Sequence, residues 1–441
     1  MAPNPNIIQA VEQLGYRVTV GDVATQSGLN VSLAQQGLLT LASEAGGHMQ
    51  VAESGEIVYQ FPKNLHAVLR NKFWRLRLQA WWQKVWQVLF YLIRISFGIV
   101  LLLSIAIIFL SIVIIISTAN RDSDNRNSRG GGGMMYMPRF WIGPSWYWFF
   151  YPDYGTRYQQ RRRETSELNF LEAVFSFLFG DGNPNADLDE QRWQTIATVI
   201  RNNQGAVVAE QIAPYLNELG TGYAQEYEDY MLPVLTRFNG QPVVSPEGQL
   251  VYHFPELQVS ASQRRSRSIA PYLQESLWRF SAASSGQLTL AAGLGLLNFV
   301  GAVFLGSLLA DGTVAAEIGG LVAFVQGIYW LLLAYGTAFL AVPLVRYFWI
   351  KWRNRRISDR NRQRQLRAGT LVNPDATLQQ KMTYAQQFST NTVITQEDLI
   401  YTTQTDLLEQ EVERSHKIDD EWQRRLSQSR SNQESVDNPG E

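Results

Sequence analysis

Between Ile95 and Thr118 the chain runs 24 residues without a charged side chain, with Ile and Leu predominating. Hydrocarbon demands about 20 apolar residues of helix to cross it. It also offers the backbone no hydrogen bonds, so such a stretch has little choice but to form a spanning helix. Two further blocks, Leu288–Ala310 and Leu321–Ile350, meet the same length, the latter with Arg346 near its end. The ten residues between them, Asp311–Gly320, carry two acids and no base, so the pair is expected to be a tight transmembrane hairpin. A whole-chain mean hydropathy of −0.15 conceals all three blocks.

The first block is preceded by Trp74, Trp81, Trp82 and Trp86, mixed with Arg70, Lys72, Arg75, Arg77 and Lys84. Indoles and cations together mark a helix entering through the headgroup layer. The hairpin is flanked by Arg264, Arg265 and Arg267 on one side and by Lys351, Arg353, Arg355 and Arg356 on the other. The positive-inside rule then points its acidic loop outward and keeps both flanks cytoplasmic. The first span has seven bases from Lys63 to Arg94 before it and eight Arg from Arg121 to Arg163 after it, so its orientation stays open.

Outside the blocks, one octapeptide recurs. Gly55-Glu56-Ile57-Val58-Tyr59-Gln60-Phe61-Pro62 returns as Gly248-Gln249-Leu250-Val251-Tyr252-His253-Phe254-Pro255. Upstream of each lies a β-like pair, a short helix with Val23-Ala24 or Ile212-Ala213, and a longer amphipathic helix. Helix, helix and hairpin in that order spell a winged helix, and the duplication predicts two copies. In the first, Gly28 permits the turn between helices, and Val31–Ser43 presents Leu33, Ala34, Leu38 and Leu41 on one face. In the second, Leu188–Asn203, Glu210–Leu216 and Gly222–Phe238 are expected helices and Pro242–Phe254 the wing. Residues 1–62 are expected to fold alone.

Winged helices commonly bind DNA, but charge argues otherwise here. Residues 1–62 hold one base, Arg17, against five acids, a net of −4. Residues 185–257 hold three Arg against ten acids, a net of −7. The recognition-helix position of the first copy has no Lys or Arg, and that of the second carries Glu226, Glu228 and Asp229. Phosphate neutralisation supplies most of the affinity for nucleic acid, so these modules are expected to repel it and to dock proteins instead. The Arg-rich stretches cluster beside the apolar blocks and are not expected to compensate.

Three segments remain. Met134–Pro152 is densely aromatic but holds Pro138, Pro144 and Arg139, which exclude a regular spanning helix. It reads as an interfacial or re-entrant segment, and whether it crosses is left open. Leu168–Phe179 has Asn169, Glu172 and Ser176 on one narrow stripe. It is expected on the membrane surface or against the spans, with a core helix of the second module as the alternative. After the spans, Arg353–Arg367 is a basic helical extension, Thr395–Asp398 resembles a capping box, and Asp406–Ser427 reads as a charged helix. From Ser427 on, the composition is that of a disordered end.

Within the hairpin, Asn298 is the strongly polar residue of its span, at the level of Tyr335 and out of register with Gln326. Gly301, Ala302 and Gly306 offer a small face for close helix packing. Without an acid, Lys or His at depth, Asn298 reads as a packing residue.

No phosphate-binding loop, zinc-protease or nucleophile-elbow motif occurs, and the four histidines stand singly. Zero cysteine excludes disulfides and thiolate metal sites. No catalytic, cofactor-binding or metal residue is assigned, and the chain is not expected to be an enzyme.

The order of winged helix, Trp/Arg collar, span, Gly-rich aromatic segment, second winged helix, hairpin and charged tail resembles a family of uncharacterised membrane proteins of cyanobacteria and plant chloroplasts. The resemblance implies a photosynthetic membrane and no established activity or site residues. Plant members carry a label naming iron–sulfur cluster biosynthesis. With no Cys to ligate a cluster, that label is not carried over.

The expected architecture is therefore α+β winged-helix modules in two copies attached to an α-helical membrane region. Residues 1–62 are the first module, 63–120 the collar and first span, and 121–184 the Gly-rich aromatic segment with its amphipathic helix. Residues 185–257 are the second module, 258–287 a basic linker, 288–350 the hairpin and 351–441 the tail. Both modules are expected on the cytoplasmic side of a bacterial inner membrane or a thylakoid. The expected function is a scaffold, assembly factor or regulator of a membrane complex, with membrane lipids and an unidentified protein as partners and a homo-oligomer allowed. The rivals are a membrane-anchored transcriptional regulator and a small transporter or channel component.

Overall fold

The computed structural model describes residues 4–72, 74–124, 169–263, 266–310, 312–412, 415, 419 and 422–426. Met134–Pro152 lies outside them, as do Arg161–Arg163, Arg264, Arg265 and the end from Ser427 on. The fold is mixed α+β with small, mainly antiparallel sheets. Among the described residues, three helices are long and apolar enough to cross a membrane. It divides into two units, one made of residues 1–79, 185–275 and 358–441, the other of 80–184 and 276–357.

The first unit opens with α1 (Pro5–Gln13), β1 (Arg17–Thr19), α2 (Val20–Ser27), α3 (Val31–Ala45), β2 (His48–Ala52), β3 (Ile57–Gln60) and α4 (Leu65–Lys72). Thr19 and Asp22 close a reciprocal capping box at the start of α2, satisfying two backbone donors that a helix end leaves unpaired. Gly28 ends α2 at φ +67, where a side chain would be strained. β3 is the middle strand, pairing antiparallel with β1 (Val18 opposite Tyr59) and with β2 (Gln50 opposite Val58).

Beyond α5 (Trp74–Asp124) and α6 (Phe170–Phe179) the chain returns to this unit. It builds α7 (Leu188–Asn202), β4 (Ala206–Val207), α8 (Ala209–Ile212), α9 (Tyr223–Glu226), α10 (Leu232–Phe238), β5 (Gln241–Val244) and β6 (Leu250–His253). β6 lies between β4 and β5, as β3 lies between β1 and β2. The two longer helices expected over 210–216 and 222–238 are instead broken into short turns. Pro214 and Pro233 each restart the backbone at the first turn of a new helical segment, because proline lacks the N–H that continuation needs. Glu228, at φ +56, interrupts the run between them.

Both halves bury their apolar faces in one core. Ile7, Val11, Ala24, Leu38 and Leu41 share it with Ile196, Ile200, Val234, Phe238 and Phe254. Each of the Val, Leu, Ile and Phe side chains among them contributes about 1.5–3 kcal/mol on burial. The core of residues 1–62 is therefore continuous with that of the second half. The contact is backbone-tight at Gly21, where a Cβ would collide with the Glu256 carbonyl oxygen. Only glycine fits there.

α11 (Pro255–Gln258) and β7 (Val259–Ser260) complete this stretch. Past α12 (Ser285–Leu309), α13 (Thr313–Ile318) and α14 (Gly320–Val372) come α15 (Ala376–Gln386), β8 (Thr392–Val393) and β9 (Leu399–Thr402). Leu378 and Ala385 of α15 pack with Val208 and Val251. β9 adds to the free edge of β2, with an irregularity at Val51/Ala52. This part of the expected tail is thus built into the fold. Thr395 and Asp398 do bond, with Asp398 Oδ2 accepting from the Thr395 N–H and Oγ1 at 2.7 Å, but they shape the turn before β9 rather than a helix start. Leu407, Leu408, Val412 and Trp422 of the expected charged helix are all exposed.

In the second unit α5, α12 and α14 pack with α6. Ile108, Ile115, Ala302, Leu305, Val322 and Val325 form one cluster. Leu101, Val174, Phe177, Ala291 and Phe339 form another. The small face of α12 is used as expected, since a Cβ at Gly306 would meet the Tyr329 hydroxyl. Asn298, 1% exposed, accepts from Ser104 Oγ at 2.8 Å. Tyr335 donates instead to the Phe97 carbonyl at 3.1 Å. α6 packs here and not in the first unit, and its polar stripe grades from exposed Asn169 through half-buried Glu172 to buried Ser176. Ser176 is fully buried and bonds Asp181 and Ser281. Arg346 donates to the Phe177 carbonyl at 2.9 Å and to that of Phe280, supplying donors to carbonyls at the end of α6. The expected tight loop between α12 and α14 contains α13, with Ala315 buried.

Candidate interaction surface

α9 is a single turn, and Glu228, two residues beyond its end, decides which side chains it presents. Glu228 is a non-glycine residue in left-handed conformation, a state that persists only when its surroundings hold it. Its Oε2 accepts from the Tyr252 hydroxyl at 2.7 Å and its Oε1 from Lys381 Nζ at 2.5 Å. Lys381, buried beneath α15, also reaches both oxygens of Glu210 at 3.0 and 3.1 Å. Burial pushes the Tyr252 hydroxyl well above its ordinary pKa, and its bond to Glu228 pushes it further. Burial, with Glu228 next, does the same for Tyr230. Both phenols stay neutral, and that of Tyr252 is held as a donor to Glu228.

This support leaves Tyr223 and Tyr227 outside. They are 78% and 63% exposed, with rings stacked at 6.2 Å and 17°. Glu226 and Asp229 are exposed beside them, and Leu232 is 60% exposed at the start of α10. Tyrosines carry a large apolar body and a polar tip at little entropic cost, which is why they dominate protein-binding hot spots. Acids around them favour a cationic partner and repel an anionic one.

The first half contributes a neutral face. Ser32, Leu33, Gln35, Gln36 and Leu39 of α3 are exposed and none is charged. The Asn30 side chain donates to the Thr236 carbonyl at 3.3 Å, so the start of α3 adjoins α10. Arg237, the base of α10, is already engaged. Its guanidinium lies 4.4 Å over the Trp193 ring, and its Nε donates to the Gly28 carbonyl at 2.7 Å.

The charges are redistributed relative to the sequence reading. Of the acids expected on the surface, Asp22 is fully buried, and Glu228 is bonded inward. The later part of the basic stretch, from Ser358 on, belongs to this unit, contrary to expectation. Arg364, 1% exposed, donates to the Leu273 carbonyl at 3.0 Å and to Asn217 Oδ1 at 2.6 Å, and pairs with Glu275 at 2.9 Å. Arg360 grips the same carboxylate through two nitrogens, at 2.8 and 2.5 Å. Burial by itself would raise the Glu275 pKa, but the two guanidinium groups outweigh it and hold the carboxyl below its ordinary range. The spacing of Arg360, Arg364 and Arg367 on one helix face was the available signal.

Of the three acids noted at the recognition-helix position, Glu226 and Asp229 are exposed and Glu228 is bonded inward. Tyr223 and Tyr227 were not singled out by sequence. His253 bonds Gln258 at 3.0 Å. A polar cavity of 380 Å³ under α15, lined by Asn202, Asn203, Gln204, Gln211 and Ser389 among others, has no charged group in its lining.

No protein-family description and no solved structure matches the chain. It is 38% identical over 436 residues to an uncharacterised chloroplastic protein of Arabidopsis thaliana, an alignment covering 96% of this chain and 82% of that protein. At that identity and coverage, the chain belongs to the family of the chloroplastic Arabidopsis protein.

Proposed function

We propose that the protein is a multi-pass integral membrane protein of a thylakoid or a bacterial inner membrane. Its first unit is a protein-docking platform built from two winged-helix modules, and it serves as a scaffold, assembly factor or regulator of a membrane complex. The winged-helix and duplication readings draw support from the shared order of helix, strand, helices and hairpin, and from the central position of β3 and β6. The membrane reading draws support from three long apolar helices whose side chains, such as Leu103, Leu296 and Phe324, face outward. The chloroplastic relative is compatible with the thylakoid.

The observation that carries docking is the exposed, stacked Tyr223–Tyr227 pair on a turn held by buried ion pairs. A transcriptional role is the weaker reading, because α3 lacks cations and Arg237 is spent on Trp193. A photo-crosslinking amino acid at Tyr223 or Tyr227, in the full-length protein in native membranes, is expected to trap one common protein. The same probe at exposed Gln380 should not trap it. Adducts at neither tyrosine, or an identical pattern at Gln380, would contradict the proposal.

A further inference from the structure

One cationic surface serves none of the contacts described above. Trp349, Trp352, Arg353 and Arg356 lie at i, i+3, i+4 and i+7 on α14 and so share one face. The Arg353 guanidinium sits 4.9 Å from the Trp278 ring and 5.2 Å from the Trp349 ring. Those two rings meet edge to face at 5.3 Å. Arg356 stacks on Trp352 at 3.9 Å. Trp278 is itself pinned, since Asn354 accepts from its backbone N–H at 2.8 Å and donates to its backbone carbonyl at 2.9 Å.

Stacking orients a guanidinium without consuming its in-plane donors. Among the described residues, Arg353, Arg356 and their exposed neighbours Lys351 and Arg355 make no ion pair with a carboxylate. Within about three turns before them, Leu344, Val345 and Phe348 are 60%, 68% and 61% exposed. Lipid-facing side chains thus give way directly to oriented, uncompensated cations flanked by indoles, the arrangement found where a helix leaves hydrocarbon.

We propose that Arg353 and Arg356, held on Trp278, Trp349 and Trp352, form a binding site for the phosphate of an anionic membrane-lipid headgroup. Planar, stacked guanidinium groups favour bidentate capture of phosphate oxygens, and the indoles suit the interfacial depth. The site rests on the membrane reading above, and the two fail separately. Release of the protein by alkaline washing would remove the membrane reading, whereas loss of lipid selectivity in a retained protein would remove only the site.

The test is native mass spectrometry of the full-length protein in neutral detergent, titrated with phosphatidylglycerol, phosphatidylcholine or inorganic phosphate. Phosphatidylglycerol is expected to bind preferentially, and R353Q/R356Q to weaken it roughly thirtyfold, given the contribution of two basic residues at an anionic surface. R353K/R356K keeps the charge but loses the planar fork, and is expected to fall between. It also decides the matter if the glutamine variant misfolds, since binding equal to wild type there would overturn the stacked-fork site. Equal binding of the two lipids, undiminished binding by a folded R353Q/R356Q, or displacement of lipid by equimolar inorganic phosphate would likewise overturn it.

Discussion

Arg201 donates to the Asp22 carboxylate at 2.6 Å across 179 residues of chain, and Asp22 is fully buried. The other carboxylate oxygen accepts from the Thr19 and Ala261 backbone N–H groups at 3.0 and 2.9 Å. One acid thus caps α2, ties it to α7 and holds the residue that follows β7. The sequence counts Asp22 toward a repulsive surface, whereas the fold uses it as a clasp between two halves.

Removing that carboxylate leaves two amides without their acceptor and Arg201 with the Val259 carbonyl at 3.3 Å. Asp22→Ala is expected to destabilise the first unit by about 3–5 kcal/mol, the usual consequence of breaking one side of a buried pair. Thermal or urea unfolding of the full-length protein in detergent checks it. A loss within about 0.5 kcal/mol, typical of a surface site, would show that the clasp is unimportant.

Glu275 gives a pH dependence of definite sign. Arg360 and Arg364 hold its folded-state pKa below the ordinary 4.5. Its contribution to stability is therefore present at neutral pH and lost as pH falls below about 4.5 through the folded value. Wild type and Glu275→Gln are expected to differ in melting temperature at pH 7 and to converge as the medium is acidified below about 4.5. A constant gap would argue that the carboxylate's charge does not matter.

Within the second unit, Asn298→Leu removes the acceptor of Ser104 but keeps the helix apolar. Interhelical hydrogen bonds in membranes average about 0.6 kcal/mol, so the expected loss is near 1 kcal/mol or less with the bundle intact. A collapse of the fold, or a change in permeability of reconstituted vesicles, would assign Asn298 more than packing.

Local pattern made part of this fold legible. Alternation in Met49–Val51 and Ile57–Tyr59 gave the β2–β3 hairpin, Gly28 gave the end of α2, and Gly306 gave a close helix contact. What stayed hidden is long-range. Leu38 and Phe238 each look like the core of their own half, and nothing local says that they share one. Arg364 and Lys381 sit in polar stretches that read as solvated, yet both are buried against partners about 150 residues or more away. Tyr223 and Tyr227 became a surface because Glu228 adopts a backbone state that propensity does not predict. Ser104 is one small polar residue in an Ile/Leu run, and its bond to Asn298 depends on helix packing.

A shared core carries a consequence for topology, because residues packed in one core occupy one side of a membrane. Single cysteines at Ser54 and Glu247, both exposed in hairpin turns, test this in a chain that otherwise has none. An impermeant maleimide is applied to sealed, oriented vesicles from each face. Ser54→Cys and Glu247→Cys are expected to label from the same face and both to be protected from the other. Labelling of the two from opposite faces would contradict a one-sided docking platform.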